Sequence, residues 1–232
     1  MSSRTKKKDR VVIVGDSAFA QIAYEYFTYD SMYEVAGFSV DKDFLKKERL
    51  FGLPVVPFET IEKRFEPNNF KIFVAITYAK LNRLRERFYL EAKEKGYSLV
   101  SYVSSRAFVW RNVEIGENSF VFEDNTIQPF VKIGNNVVIW SGNHIGHHSV
   151  IKDHCFISSH VVVSGFVEVG EYCFLGVNAT IANNIRIAKD CLIGAGVTIL
   201  KDTEEGKVYG STMPEPKKYS SLAYFDAEQN RE

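Results

Sequence analysis

The fold is decided by residues 127–157, which read IQPFVKIGNNVVIWSGNHIGHHSVIKDHCFI. An isoleucine stands at every sixth position of this stretch. Ile, Leu or Val keeps the same spacing from Val103 to Ile199, at seventeen consecutive positions. Even if a third of all residues were of these three types, such a run would arise by chance about once in a hundred million cases. The six-residue period is therefore a genuine repeat.

This period predicts a parallel β-helix. It matches neither the 3.6-residue repeat of a helix nor the alternation of a strand, but it suits a short strand followed by a corner, three of which close a coil of eighteen residues. Cys155, Cys173 and Cys191 recur at that larger spacing, and Asn143 follows Asn125 by the same interval. Glycine often follows the buried residue, where a corner crowds the backbone. Because coils stack about 4.8 Å apart, the prism should be on the order of 27 Å tall.

The outward residue before each buried position differs between the faces of the prism. One face is charged, with Glu114, Lys132, Glu168 and Arg186 alternating in sign along much of its length. Another is an apolar stripe of Phe120, Val138, Phe156, Phe174 and Leu192. An exposed apolar stripe marks an interaction surface. We interpret it as a subunit interface and expect a closed oligomer, a homotrimer.

Composition excludes several classes of function. The 232 residues contain 29 basic and 29 acidic side chains, so the net charge is zero and no nucleic-acid footprint is present. No apolar run reaches membrane-spanning length, and the opening lacks the pattern of a signal peptide. The three cysteines fall in the repeat core and are interpreted as reduced packing residues. These features predict a cytoplasmic protein without nucleic-acid or membrane partners.

The chain before the prism alternates strands with helices, which predicts an α/β domain with a small parallel sheet. We expect a basic tail at 1–10, a small Rossmann-like nucleotide-binding domain at 11–102, the β-helix at 103–204 and a C-terminal extension at 205–232. The predicted strands are 11–15, 35–40, 54–58, 72–77 and 99–103, and the predicted helices are 18–27, 60–65 and 80–95.

The turn after the first strand keeps only Gly15 of the G-x-G-x-x-G spacing, since Ser17 and Ala20 replace the other glycines. A full dinucleotide site is therefore not expected. Ligands still bind at the carboxyl ends of parallel strands, with a helix N-terminus available for phosphate. The turn predicts a site for a mononucleotide diphosphate.

Histidine use is concentrated, because all five histidines lie between residues 144 and 160. The run from Asn143 to Ser149 is the densest polar segment of the prism, and Ile145 within it must point inward. His144, His147 and His148 are therefore the best candidates for a site at a coil corner. The alternative, that the histidines lie on a surface or at an interface, stays open for His154 and His160.

The segment from Asn143 to Ser149 resembles the histidine segment of left-handed β-helix acyltransferases, including the UDP-N-acetylglucosamine acyltransferase of lipid A synthesis. Over residues 10–210 the chain is similar to the bacterial nucleotide-aminosugar N-acyltransferases, such as the acetyltransferase of the bacillosamine pathway. The resemblance implies a left-handed β-helix and makes His147 the general base. The acid that follows this base in the family is replaced here by His148. Two roles stay open for His148: it orients His147, or it binds substrate.

The chemistry of acyl transfer agrees with these residues. Transfer to an amine needs a base for the amine proton and donors for the oxyanion that forms on the thioester. Imidazole, with an unperturbed pKa near 6.5, suits the base. Gly165 lies one coil above His147, with its N–H expected about 5 Å away. Gly165 is the candidate oxyanion donor, as the resemblance also implies, and the alternative is a plain corner glycine.

The resemblance also implies the remaining ligand contacts. Acyl-CoA, with acetyl-CoA as the expected donor and no metal, is expected between adjacent subunits near the C-terminal coils. Its candidate residues are Gly165, Gly176, Ala182, Arg186 and Lys201. The expected acceptor is a dTDP- or UDP-linked amino-deoxysugar used for cell-surface glycans such as lipopolysaccharide. Its candidate residues are Asp16, Ser17, Asp41, Thr77, Lys80, Asn143 and His144.

Three alternatives compete with this function. A zinc hydratase of the γ carbonic anhydrase type shares the prism, but its His-x4-His pair does not match the spacings from His144 to His160. A noncatalytic trimeric scaffold would have no need for the histidine cluster. A sugar O-acetyltransferase would keep the same enzyme but acylate a hydroxyl.

Overall fold

The computed structural model describes residues 9–212, 215–218 and 220–224. Most of the predicted basic tail and parts of the C-terminal extension, including its end, therefore lie outside the described residues. The chain folds into an α/β domain and a parallel β-helix. The strand Tyr102–Val103, which straddles the predicted boundary between them, already pairs with Phe120–Val121 in the β-helix.

The α/β domain contains a five-stranded sheet in the order β3-β4-β2-β1-β5. Its elements are β1 (Asp9–Val14), α1 (Ala18–Tyr29), β2 (Tyr33–Val40), a 3-10 helix (Lys42–Phe44), β3 (Arg49–Leu50), β4 (Leu53–Pro57), a second 3-10 helix (Phe58–Lys63), β5 (Lys71–Val74) and α2 (Arg83–Glu94). The pairings are parallel except for β3, which is antiparallel to β4 at the edge. Helix α1 packs on one side of the sheet and α2 on the other.

Two predicted elements of this domain differ from the structure. The last predicted strand, 99–103, contributes only a single bridge from Leu99 to Ile72 before the chain enters the β-helix. Helix α2 begins at Arg83 rather than at residue 80, because Lys80, Leu81 and Asn82 have φ angles of 53°, 51° and 67°. This left-handed conformation is incompatible with a right-handed helix and is costly for residues other than glycine.

The β-helix has three parallel sheets, which we name faces A, B and C. Face A comprises Phe108–Val109, Thr126–Ile127, His144–Ile145, Val162–Val163, Thr180–Ile181 and Thr198–Ile199. Face B comprises Glu114–Ile115, Lys132–Ile133, Val150–Ile151, Glu168–Val169 and Arg186–Ile187. Face C comprises Tyr102–Val103, Phe120–Val121, Val138–Ile139, Phe156–Ile157, Phe174–Leu175, Leu192–Ile193 and Val208–Tyr209. A short helix, Ser221–Tyr224, follows.

The hexad pattern produces this geometry directly. Residues eighteen apart pair in register, as Ile127 does with Ile145, and the inward side chains form one continuous core. The crowding expected at the glycine position is confirmed, because a Cβ on Gly146 would lie 2.5 Å from the backbone of Ser164. The cysteines are free and buried, and the thiol of Cys155 donates to the carbonyl of Gly170 at 3.0 Å. Their role as packing residues is confirmed.

The apolar stripe on face C is not a free subunit interface, so that interpretation is wrong. Phe120, Val138 and Phe156 are buried against the α/β domain, in one core with Phe19 and Phe27 of α1. The stripe is thus the internal contact between the two parts of the chain. Large apolar side chains are exposed instead near the edge between faces A and B: Phe108, Trp110, Phe130 and Phe166.

Helix α2 is held along the edge between faces B and C by a buried arginine. Arg85 is 1% exposed, and its Nε donates to Asn136 Oδ1 at 2.6 Å while Nη2 donates to the carbonyl of Asn118 at 2.7 Å. Asn118 Oδ1 in turn accepts the N–H of Val74 in β5, at 2.8 Å. No carboxylate pairs with Arg85 among the described residues, and burial lowers its pKa to about 9. This network ties the sheet to the prism.

Candidate active site

His147 and His148 lie at one corner of the edge between faces A and B, the A–B edge. The buried Ile145 and the crowded Gly146 fix the chain before them, and the N–H of His147 donates to Gln128 Oε1 at 2.9 Å. His148 takes the left-handed corner conformation, with φ of 57°. Both imidazoles are exposed. The repeat therefore presents two neighbouring histidines outward on a rigidly spaced corner.

The two imidazoles contact each other and exposed phenyl rings. Nδ1 of His147 lies 3.1 Å from Nδ1 of His148, so one ring donates and the other accepts. His148 stacks between Phe130 and Phe166, with ring centroids 4.6 and 4.9 Å apart. If His147 donates from Nδ1, its Nε2 is free to accept a proton. His148 then occupies the place of an orienting group, although a neutral imidazole supplies no negative charge.

Gly165 makes room for the His147 ring. A Cβ at residue 165 would lie 2.8 Å from Cε1 and 2.9 Å from Nε2 of His147, closer than carbon atoms approach. The Gly165 N–H, the predicted oxyanion donor, already donates to Asn183 Oδ1 at 2.9 Å. The structure thus gives Gly165 a steric role beside His147. Its donor role stays a prediction and requires the Asn183 amide to be displaced.

The two remaining residues of the histidine segment have different surroundings. Asn143 is buried: its N–H donates to Asn125 Oδ1 at 3.0 Å, its Oδ1 accepts the N–H of Val161, and its amide nitrogen donates to Trp140. Every polar group of this side chain is used within the prism, which argues against the predicted substrate contact. His144 is half-buried in the middle of face A.

The predicted CoA residues do not all share one surface. Ala182 and Lys201 lie on the A–B edge in the coils that follow Gly165, and Arg186 lies next to that edge on face B, 3.7 Å from Glu168. Gly176 follows Phe174–Leu175 of face C and therefore lies on the edge between faces C and A. A single chain cannot bring Gly176 to the surface that carries the other residues.

Four predicted substrate residues line one cavity of about 510 Å³, which we name the strand-end cavity. It lies where β1, β2 and β5 end, and Asp16, Ser17, Asp41 and Lys80, the residues that the family resemblance implies, all line it. The other lining residues are Gly15, Val40, Phe44, Ile76, Leu84, Arg87 and Phe88. Gly15 is required here, since its φ is +123° and a Cβ would lie 2.8 Å from the Ala75 carbonyl.

Thr77, the fifth such residue, lines a second cavity of about 340 Å³ between the α/β domain and the prism. This interdomain cavity also contains Tyr78, Trp140 and the hydroxyls of Ser158 and Ser159. The segment from Thr77 to Lys80 contributes to both cavities. Together they offer space for a nucleotide and for a group attached to it.

The charges in the strand-end cavity are largely paired. Lys47 lies 3.2 Å from the carboxylate of Asp16, which offsets the negative charge beside the α1 N-terminus. Arg87 lies 2.5 Å from Asp41. Ser17 stands at the N-cap of α1 with its hydroxyl making no capping bond, and the first turn carries no acidic residue. This end of α1 suits an anionic group such as a phosphate.

The sequence interpretation missed Phe44, Arg87 and Lys47. Arg87 belongs to an amphipathic helix and reads as an ordinary surface residue, and Phe44 and Lys47 follow β2 without any motif. Phe44 and Lys47 lie three and six residues after Asp41 in the sequence. This closeness is the only sequence signal that could have pointed to them.

The strand-end cavity and His147 lie on different sides of one chain. The α/β domain covers face C, and the A–B edge is the edge of a three-sided prism that does not border face C. The buried core of the prism therefore lies between the A–B edge and that face. Within one chain, the candidate base and the cavity do not form a common site.

No group of three His, Cys, Asp or Glu side chains among the described residues could hold a metal ion. Within the same residues, no helix is long and apolar enough to cross a membrane.

Comparison with known proteins agrees with the fold and the repeat. Residues 112–147, 130–165 and 166–201 match the bacterial transferase hexapeptide family, described as six repeats. No curated protein sequence matches the chain significantly.

The similarity to solved structures extends over nearly the whole chain. A variant of perosamine N-acetyltransferase from Caulobacter crescentus, in complex with CoA and GDP-perosamine, is 26% identical with a TM-score of 0.78, over 87% of this chain and 93% of the other. The acetyltransferase domain of PglB from Neisseria gonorrhoeae, in complex with acetyl coenzyme A, is 20% identical with a TM-score of 0.78, over 89% of this chain and 97% of that domain. WeeI from Acinetobacter baumannii is 19% identical with a TM-score of 0.69, over 87% and 96%.

Residues 112–201 thus carry the repeat of the bacterial hexapeptide transferases, and the chain is similar in fold over nearly its whole length to hexapeptide-repeat β-helix acyltransferases. Within that class, its structural relatives are CoA-dependent sugar N-acetyltransferases.

Proposed function

We propose that the protein transfers an acyl group, acetyl by preference, from acyl-CoA to the amino group of a nucleotide-linked amino-deoxysugar. The observation that carries the proposal is the pairing of an exposed corner histidine, fitted against Gly165, with a strand-end cavity suited to an anionic nucleotide. The relative from Caulobacter crescentus binds CoA and GDP-perosamine, and it is similar to this chain in both domains. Because acyl-CoA and nucleotide sugars are cytoplasmic metabolites, the reaction belongs to the cytoplasm, in the assembly of cell-surface glycans.

In this mechanism the amine nitrogen attacks the thioester carbonyl carbon and forms the new C–N bond. Nε2 of His147 accepts the amine proton, which raises the electron density on nitrogen as the bond forms. The carbonyl oxygen becomes an oxyanion, and its collapse breaks the C–S bond. The departing thiolate receives the proton from His147, so an amide and free CoA thiol are the products. Nδ1 of His147 keeps its proton towards His148 throughout.

The oxyanion requires a donor that is free when substrate is bound. The N–H of Gly165 can serve if the thioester displaces Asn183 from it. Asn183 can then turn its own amide N–H towards the ligand, because an amide group both donates and accepts. The remaining CoA contacts proposed near this edge come from Ala182, Arg186 and Lys201, with Gly176 supplied from a neighbouring chain.

We further propose a homotrimer, because one chain separates His147 from the strand-end cavity. A neighbouring copy that docks against the A–B edge would bring its own cavity to this histidine. The exposed rings of Phe130 and Phe166, each more than half exposed in the single chain, support such contact. Sedimentation of the wild type is expected to give a trimer, and Phe166→Asp is expected to give monomers without activity. A monomeric wild type with full activity would contradict this part of the proposal.

One assay tests the proposed reaction. Purified protein is mixed with acetyl-CoA and a panel of UDP-, dTDP- and GDP-linked amino sugars, and the released CoA thiol is measured colorimetrically. Mass spectrometry then identifies the product, since N-acetylation and O-acetylation both release thiol. The matched acceptors are the same nucleotide sugars with a hydroxyl in place of the amine. N-acyl transfer would be contradicted if none of the amino sugars in the panel caused thiol release, or if the hydroxyl acceptors caused as much release as the amino sugars.

A further inference from the structure

We infer that the strand-end cavity selects a guanine nucleotide, with Asp41 reading the base. This inference rests on the proposed function in one respect, that the cavity holds the nucleotide of the substrate. It departs from the dTDP or UDP carrier expected from the family resemblance. The selectivity comes from a single charged pair on an otherwise apolar wall.

The cavity is divided by character. Its lining at the α1 N-terminus is polar, with Asp16 and Ser17, and the exposed Lys80 before α2 also lines it. The apolar part of the lining comes from β2, the 3-10 helix after it, the connection after β5 and α2: Val40, Phe44, Ile76, Leu84 and Phe88. Phosphates fit beside the α1 N-terminus, because its backbone N–H groups are free to bind an anion. The base therefore fits against the apolar part of the lining, where an aromatic face is available for stacking.

Phe44 is the stacking surface in that part of the lining. Its ring is 65% exposed although it lines the cavity, so it has a free face at the rim. It is the last residue of the 3-10 helix Lys42–Phe44, and the N–H of Lys42 in this helix donates to the carboxylate of Glu59 at 3.0 and 3.1 Å. A wide aromatic face held in place favours a purine over a smaller pyrimidine, since stacking increases with the area of overlap.

Asp41 and Arg87 supply polar groups to the lining of the same cavity. Arg87 donates to Oδ2 of Asp41 at 2.5 Å, lies 3.5 Å from Glu91 and stacks 4.1 Å above the ring of Phe88. These contacts fix the guanidinium, and Oδ1 of Asp41 has no hydrogen-bond partner among the residues that the structure describes. The side chain of Asp41 remains 21% exposed. The wall thus presents a carboxylate acceptor with a guanidinium donor beside it.

Guanine is the base that complements this pair. Its edge carries two adjacent donors, N1–H and N2–H, followed by the O6 acceptor. A carboxylate can accept both donors, and a neighbouring guanidinium can donate to O6. Uracil and thymine place one N–H between two carbonyl oxygens, which a carboxylate repels. Adenine and cytosine place a ring-nitrogen acceptor beside their amino group, so they also oppose a negative charge.

A competing role for Asp41 is binding of the ribose, as an acidic residue at the end of the second strand does in dinucleotide folds. That role would discriminate ribose from deoxyribose but not one base from another. The two roles therefore predict different orders of affinity.

The experiment measures dissociation constants of the full-length protein for GDP, IDP, UDP, dTDP, ADP and dGDP by titration calorimetry. IDP differs from GDP only in lacking the 2-amino donor. We expect GDP to bind roughly tenfold or more tightly than UDP, dTDP or ADP, with IDP weaker than GDP and dGDP close to GDP. Asp41→Asn should lose most of this preference. Asp43→Asn, an exposed acid two residues away that does not line the cavity, should keep it.

Any other order of nucleotide affinities overturns the inference. UDP or dTDP binding as tightly as GDP would show that Asp41 does not read guanine. Similar affinity for all bases with a large loss for dGDP would assign Asp41 to the ribose. In both cases acetyl transfer with another nucleotide sugar would leave the proposed function intact. Binding of no nucleotide would overturn the inference and the nucleotide-sugar function together, whereas tight GDP binding without thiol release would contradict only the proposed reaction. The comparison of wild-type affinities stands even if Asp41→Asn does not fold.

Discussion

His148 and His154 occupy the same place in neighbouring hexads, yet their surroundings are opposite. Both take the left-handed corner conformation, with φ of 57° and 61°. His148 is exposed on the A–B edge and touches His147. His154 is 8% exposed on the edge between faces B and C, where Asn136 lies 2.9 Å from its Nδ1 and Glu86 of α2 lies 3.6 Å from its Nε2. The repeat gives both histidines the same backbone conformation. Whether another part of the chain covers the corner decides whether the imidazole is exposed or buried.

This comparison resolves one alternative that the sequence left open. His154 is an interface histidine between the two parts of the chain, stacked on Tyr172, whose hydroxyl donates to Glu86 at 2.5 Å. His160 is exposed at another corner and lies against Gly142. Neither contacts His147. The three edges of the prism thus separate into an open edge with the candidate base, a covered edge and a third that borders the interdomain cavity.

The largest effect is expected from removing the exposed base. His147→Ala should reduce kcat by about two to four orders of magnitude, because no other side chain at this corner has a free nitrogen in its place. Thiol release under saturating acetyl-CoA and acceptor is the measurement. His160→Ala removes an exposed corner histidine from another edge and should keep the activity. Equal activity of wild type and His147→Ala would refute the assignment of the base.

A somewhat smaller loss is expected when the space beside the base is filled. Gly165→Ala places a methyl group 2.8 to 2.9 Å from the ring of His147, so the ring must turn away. We expect kcat to fall about a hundredfold, since a misplacement of 1 Å costs about that much. Gly210→Ala is the control, because its Cβ meets no atom within 4 Å. Retained activity in Gly165→Ala would mean that the ring position seen here is not the working one.

On the covered edge, the expected effect is on stability rather than on chemistry. Arg85→Ala removes the side-chain donor to the buried Asn118 carbonyl and one of the two donors to Asn136 Oδ1, the other being Asn118 Nδ2. This should cost about 2–4 kcal/mol in the free energy of unfolding. Urea denaturation followed by circular dichroism measures this. Arg106→Ala removes an exposed arginine 3.6 Å from Asp124 and should leave the unfolding midpoint nearly unchanged. Equal midpoints for the two variants would contradict the anchoring role of Arg85.

The smallest effect is a pH dependence from His154. Burial lowers the pKa of its imidazole below 6.5 despite the nearby Glu86. The unfolded chain therefore takes up the proton first, and stability should be lost as pH falls from about 6.5 towards the folded-state pKa. The slope in that window cannot exceed about 1.4 kcal/mol per pH unit for one group.

Unfolding free energies of wild type and His154→Gln between pH 5 and pH 7.5 measure this contribution. The variant should show a flatter dependence, and His160→Gln should follow the wild type. A wild-type slope that persists in His154→Gln would assign the acid sensitivity to other groups.

The candidate site was predicted unevenly from the sequence. His147 was found because Ile145 must point inward, which forces its neighbours to a corner. Asp16, Ser17, Asp41 and Lys80 were named from the family resemblance, and all four line one cavity at the carboxyl ends of the strands, although their contact with substrate stays a prediction. The substrate contact of Asn143 stays a prediction, and spacing alone does not reveal that its side-chain amide already bonds Val161 and Trp140.

The sequence by itself determined the β-helix, its register and the crowded glycine corners. These features follow from the six-residue period, because it pairs residues that are only eighteen positions apart. They require no contact with another part of the chain. Only the tertiary structure decided which face is covered and which edge stays open. Phe120 and Phe156 read as a free apolar stripe, and Arg85 reads as a surface residue of α2. Both become buried because the α/β domain docks on face C. Which residues such a contact buries depends on the complementary shape and charge of two surfaces that are far apart in the sequence.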